Sequence, residues 1–191
     1  MKPVRVGLLG IGTVGSGVFT VLSRNAAEIA RRAGRSIELV AVADLDTARA
    51  KSVVGDGVQI FGDAQQLIDD ASIDVVIELI GGYGVAKKLV LAAIAAGKYV
   101  VMANKALLAV HGSEIFAAAK AKGVIVAFEA SVAGGIPIIK ALREGLTANR
   151  IEWVAGIING TTNFILSEMR ANGLDSALVL HEPPRLADAT P

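Results

Sequence analysis

With 191 residues the chain is long enough for one well-packed core or for one domain plus part of another, and the second arrangement is expected. Its 19 basic and 18 acidic residues give a net charge of +1 and are interspersed without runs, which argues against a nucleic-acid or other polyanion partner. Hydrophobic residues make up 53% of the chain, but in short stretches broken by Gly or charge, so no membrane span is expected; the lack of cysteine removes disulfides, thiolate metal sites and any thiol nucleophile.

The opening Met1-Lys2-Pro3 leads into an apolar run that carries Arg5 and several glycines and has no small-residue cleavage signature, so it reads as a cytoplasmic strand and not as a secretory leader. Val4, Val6 and Leu8 alternate as a strand does, and Val14, Val18, Val21, Leu22, Ile29 and Ala33 return at helical spacing, as one long helix. Between them lies Gly10-Ile11-Gly12-Thr13-Val14-Gly15. Such a glycine string is weak in isolation and informative where it follows a strand and opens a helix. Gly10 permits the tight bend, Gly12 keeps a Cβ out of the path of a pyrophosphate, and Gly15 lets the helix pack closely. The anion then meets the positive end of the helix, so Gly10 to Gly15, Thr13 and Val14 included, are expected to bind a dinucleotide.

Strand-like runs at residues 4–9, 37–43, 73–79, 99–102 and 124–128 alternate with amphipathic stretches, and Gly97 and Gly123 mark helix ends. This alternation predicts an α/β fold, a doubly wound parallel sheet of the Rossmann type spanning residues 1–130. In Ser131-Val132-Ala133-Gly134-Gly135-Ile136-Pro137, Pro137 suits the first turn of a helix reaching Leu146. A strand at residues 151–158, then Asn159-Gly160-Thr161-Thr162-Asn163 and a helix closed by Asn172-Gly173, read as the opening of a second, α+β domain over residues 131–191.

In an open α/β sheet the ligand lies beyond the carboxyl ends of the strands, which singles out Asp44, Gly81-Gly82 after Glu78, Asn104-Lys105 and Glu129 beside the glycine turn. Asp44 ends the second strand, where a carboxylate accepts hydrogen bonds from an adenosine ribose; a solvated turn acid is the alternative, and Asp46 competes. An acid there disfavours a 2′-phosphate, while Arg49 offsets it, so NAD against NADP stays open. Lys105 follows an apolar strand, and an ammonium at that edge either stabilises charge on a carbinol oxygen during hydride transfer or merely snorkels to solvent. His111 reads as a cap or surface residue in a loop before a helix, and His181 receives no role. Glu129 with the backbone of Val132-Ala133-Gly134-Gly135 offers one carboxylate and several carbonyls to a hard cation, or forms an interdomain hinge.

The glycine turn, Glu78-Leu79-Ile80-Gly81-Gly82, Ala103-Asn104-Lys105-Ala106-Leu107-Leu108-Ala109, Glu129 to Pro137 and Gly156-Ile157-Ile158-Asn159-Gly160-Thr161-Thr162-Asn163 together resemble the successive signatures of homoserine dehydrogenases. The resemblance implies NAD(P)-dependent interconversion of L-homoserine and L-aspartate 4-semialdehyde, a step toward threonine, methionine and isoleucine. It implies that Lys105 lies where nicotinamide and substrate meet, that a sodium ion is held at Glu129, Val132, Gly134 and Ile136, and that Asn159 to Asn163 wall off cofactor from substrate. A cytoplasmic homodimer is implied too. Met102 stands where relatives have Thr, and Ala43 where many carry Arg, which leans toward NAD. The end of the chain, with Pro183-Pro184, lacks the family's further acids and second lysine, so the resemblance covers the cofactor domain and only the start of the catalytic domain. Nucleotide binding with little or no turnover is therefore expected; the rival class is a non-catalytic dinucleotide-binding fragment or interaction module. A thioester-forming dehydrogenase is set aside because there is no cysteine.

Overall fold

A computed structural model describes residues 1–156, 160–173 and 175. The chain divides into two units, residues 1–145 and residues 146–191. The first is built on six strands: β1 (Val4–Leu9), β2 (Ile37–Ala43), β3 (Gln59–Phe61), β4 (Val75–Glu78), β5 (Tyr99–Met102) and β6 (Val126–Ala127). All pair in parallel, in the order β3-β2-β1-β4-β5-β6. The doubly wound expectation holds, and the order reverses between β1 and β4, the crevice where such sheets take ligands.

Parallel strands are covered on both faces, so their runs are continuously apolar and adjacent residues enter opposite cores. Leu8 and Val42 pack with Ile11, Ala50 and Val54 on one face. Leu9, Ala41, Ala43 and Val76 belong to the other, larger core. Helices α1 (Thr13–Arg24), α2 (Ala26–Ala33) and α3 (Thr47–Val54) precede β3; α4 (Ala64–Asp69), α5 (Gly84–Ala95) and α6 (Lys105–Lys122) follow it. In α5, Ala86, Leu89, Val90, Ala93 and Ile94 are buried at i, i+3, i+4, i+7 and i+8, one apolar stripe against the sheet. α6 ends at Gly123, whose φ of 74° closes the helix as only glycine does without cost.

Several expectations are corrected. The single long helix after the glycine turn is two, broken at Asn25, whose backbone (φ −104°, ψ 17°) leaves helical geometry. β3 escaped the sequence reading because three residues are too few to show a period. His111 lies inside α6, not in a loop before it, and Lys105 is the first residue of that helix. The strands expected at residues 73–79 and 124–128 are trimmed to their paired cores in β4 and β6. After β6 come a 3-10 turn (Glu129–Ser131) and a short helix, α7 (Ile138–Lys140), continuing as a π turn over Ala141–Gly145.

The amino edge of the sheet is tied by the buried Lys98 and the half-buried Arg5. The Lys98 ammonium donates to the carbonyls of Asp70 (2.7 Å) and Ile73 (2.8 Å). The Arg5 amide donates to Asp74 Oδ2 (2.9 Å) and its guanidinium to the Ser72 carbonyl (3.1 Å). Burial pulls the Lys98 pKa below the usual lysine value, against the attraction of Asp70, Asp74 and Asp69.

In the second unit, α8 (Gly160–Asn172) is helical as expected. Residues 151–156 carry no strand; a lone extended segment has no sheet neighbour to satisfy its amides, and none pairs with it among the described residues. Residues 157–159 of that expected strand and of the loop after it, and His181, lie outside the described residues.

Candidate functional site

The glycine turn meets the geometry its spacing demands. Gly10 has φ 91°, and a Cβ there would lie 2.9 Å from the Leu79 carbonyl oxygen, so the turn abuts the end of β4. A Cβ on Gly15 would sit 2.1 Å from the Gly10 carbonyl oxygen, so α1 approaches its own turn as closely as glycine allows. At Gly12 a Cβ would meet nothing within 4 Å, so this glycine packs against no protein and leaves room for a ligand. No side chain caps α1 and no acid occupies its first turn, so its leading N–H groups, including those of the exposed Thr13 and Val14, face outward with the positive end of the helix. These features fit a bound pyrophosphate.

Gly10, Gly12 and Asp44 line one cleft of about 930 Å³ at the carboxyl edge, together with Gly62, Ile80 and Lys88. Asp44 is half-buried there, its Oδ2 accepting from the Ile11 amide (2.7 Å) and its Oδ1 from the Asp46 amide (2.9 Å), which ties β2 to the glycine turn. The sequence reading missed Gly62, Asp63 and Gln65 after β3, and Val85 and Lys88 on α5. Asp63 accepts from the Gln65 amide (2.9 Å) to cap α4, and the three residues of β3 before it show no period that would have marked this turn. Lys88 was indistinguishable from any surface lysine until the fold aimed one end of α5 at the cleft.

Gly81 (φ 82°) and Gly82 (φ 65°) form a left-handed pair in the exposed β4–α5 turn. The Asn104 carboxamide bridges this turn to α6: Nδ2 donates to the Gly82 carbonyl (2.5 Å), and Oδ1 accepts from the Leu107 amide (3.0 Å) as the helix cap. Lys105 follows immediately, exposed at the first helical position. None of these four residues lines the cleft, whose wall includes Ile80 immediately before Gly81.

At the expected cation loop, the Glu129 carboxylate accepts from the amides of Ile139 (3.0 Å) and Lys140 (2.9 Å), capping α7. Ala133 (φ 48°) and Gly135 (φ 86°) turn the chain back on itself. The Glu129 and Ile136 carbonyls take backbone hydrogen bonds from Val132 (3.3 Å) and Ile138 (2.8 Å), whereas among the described residues none reaches the Val132 or Gly134 carbonyl. The remaining electron-pair donors are carbonyl oxygens, the ligand type that hard cations take.

The sequence profile of the homoserine dehydrogenase NAD-binding domain matches residues 10–129, and that of the homoserine dehydrogenase domain matches residues 137–189. The chain belongs to the homoserine dehydrogenase family. The homoserine dehydrogenase of Pseudomonas aeruginosa is 61% identical across 100% of this chain and 44% of the relative; that of Neisseria gonorrhoeae is 55% identical, with 100% and 44% covered. A crystal structure of a homoserine dehydrogenase from Thiobacillus denitrificans superposes with a TM-score of 0.85 at 61% identity, covering 100% of this chain and 44% of that one. A Staphylococcus aureus homoserine dehydrogenase structure gives 0.74 at 32% identity, with 98% and 44% covered. The chain thus spans under half the length of these homoserine dehydrogenases.

Proposed function

We propose that this chain supplies the cofactor-binding domain, residues 1–130, and the start of the substrate and dimerisation domain, residues 131–191, of an NAD(P)-dependent homoserine dehydrogenase acting as a cytoplasmic homodimer in threonine, methionine and isoleucine synthesis. The observation that carries the proposal is the open, uncapped start of α1 at Gly12, beside a cleft at the point where strand order reverses. When bound, a nicotinamide would supply the acceptor for the hydride of the homoserine carbinol carbon, and the hydroxyl proton would pass to solvent water as the C=O bond of the semialdehyde forms. The chain's part is to bind the pyrophosphate on the amides after Gly12, to face the ribose with Asp44, and to hold the Lys105 ammonium near the carbinol oxygen, where charge develops. Asp44 in the cleft favours a ribose hydroxyl over a 2′-phosphate, hence NAD over NADP. The Glu129, Val132, Gly134 and Ile136 loop would hold a sodium ion through carbonyls. Exposed Ile151, Trp153 and Val154 supply apolar surface for the dimer contact.

NADH fluorescence enhancement with the purified 191-residue chain tests binding, and turnover of homoserine by the full-length protein tests the chemistry. In the latter, Lys105→Met is expected to lower kcat about 10²–10⁴-fold with NADH affinity within about threefold of the parent. Unchanged kcat would remove Lys105 from the reaction. The share of the relatives covered, 44%, favours a second reading in which the 191-residue chain alone binds nucleotide without turnover; measurable homoserine oxidation by that chain overturns it.

A further inference from the structure

Glu78, at the carboxyl end of β4, is fully buried. Its Oε1 accepts two hydrogen bonds from the backbone of the next turn, from Ile80 (2.8 Å) and Gly81 (3.2 Å). Its Oε2 is sealed from solvent and has no hydrogen-bond partner among the described residues. A carboxylate so placed is costly in a core made of Leu9, Val76 and Met102, where an apolar side chain would serve packing better. What it provides is directional: it fixes both amides of a turn whose next residue, Gly82, presents its carbonyl to Asn104. Asn104 caps α6 in turn, and Lys105 stands beside it. The same turn begins at Leu79, whose carbonyl oxygen lies against Gly10.

We propose that Glu78 is a positioning residue: its buried carboxylate sets the Ile80–Gly82 turn, and through the Gly82–Asn104 bond sets the start of α6 and Lys105, holding both against the nicotinamide half of the cofactor. The proposal rests on the cofactor reading above. It is tested on the 191-residue chain by amide exchange, read by NMR, and by NADH affinity. Glu78→Met, close in volume, removes the acceptor; exchange at Ile80 and Gly81 should accelerate at least tenfold while Leu8 and Leu9 stay protected, and NADH Kd should rise about tenfold. Glu78→Gln keeps one carbonyl oxygen and should restore slow exchange and most of the affinity. Asn104→Asp keeps the cap oxygen and loses the donor to Gly82; it should weaken NADH as Glu78→Met does, and the double variant should be no worse than either single one. Should Glu78→Met fail to fold, Asn104→Asp and Glu78→Gln carry the test. Faster exchange with unchanged NADH affinity leaves Glu78 a packing residue and overturns the proposal, as does additivity in the double variant. A parent chain that does not bind NADH overturns the cofactor reading first.

Discussion

Alanine at Gly15 should cost both stability and binding, alanine at Gly12 binding alone, and the contrast tests whether the turn is a ligand cradle or only a tight connection. At Gly15 the new Cβ would lie 2.1 Å from the Gly10 carbonyl oxygen, with the Gly10 carbonyl carbon at 3.1 Å and Leu8 Cδ2 at 3.5 Å. The first atom is backbone and cannot rotate away, so α1 must withdraw by about 1 Å, an overpacking cost of about 1–3 kcal/mol. Ala is the better helix former by about 1 kcal/mol, leaving a net loss of up to about 2 kcal/mol in urea denaturation. Withdrawing α1 also moves its amides off the phosphate, so NADH affinity falls as well. At Gly12, with nothing within 4 Å and φ of −62°, alanine fits the folded chain. The poorer N-cap and the lower entropy of the unfolded chain oppose one another, and stability should change by less than about 0.5 kcal/mol. The methyl instead enters the space of the pyrophosphate, and NADH Kd should rise about tenfold or more, about 1.4 kcal/mol. Gly12→Ala binding NADH as tightly as the parent would refute the cradle.

Lys98→Met leaves the Asp70 and Ile73 carbonyls without their donor, and should cost about 2–4 kcal/mol at neutral pH in urea denaturation. Because the folded-state pKa of Lys98 is lowered, the parent gains stability as pH rises from that value to the ordinary lysine value, so its margin over Lys98→Met should be wider at pH 10 than at pH 7; a narrower margin contradicts the assignment. Asp44→Ser should weaken NAD about tenfold and shift the NAD-to-NADP affinity ratio toward NADP, read by competition against NADH fluorescence. Glu129→Ala removes the acceptor for two amides of α7 and should cost about 1–2 kcal/mol, with exchange accelerating at Ile139 and Lys140.

Much of the sheet was legible because its strands are apolar on both faces and its turns are written in glycine. Leu8 and Leu9 sit side by side in sequence and in separate cores, which a continuous apolar run announces and a strict alternation would not. β3 and the cleft residues after it were not legible, because three residues joined to an edge position owe their conformation to β2 and not to any local period. The break at Asn25 hides in a sequence whose apolar residues remain in phase across it. At the candidate site, Gly10, Gly12, Gly15 and Asp44 were readable from the sequence, and the meeting of Gly10, Gly12 and Asp44 in one cleft followed from the strand order. Glu78 could be read only as a motif letter: that one of its oxygens pins two amides while the other is buried without a hydrogen-bond partner among the described residues is a fact of three dimensions.

The ammonium and guanidinium anchors of Lys98 and Arg5 lie at the opposite rim of the sheet from the cleft proposed for the nucleotide. If the cofactor lies in that cleft, rigidity is secured on the far side from it, and exchanging the few cleft residues after β2 and β3 is expected to retarget coenzyme choice while the scaffold beneath stays as it is.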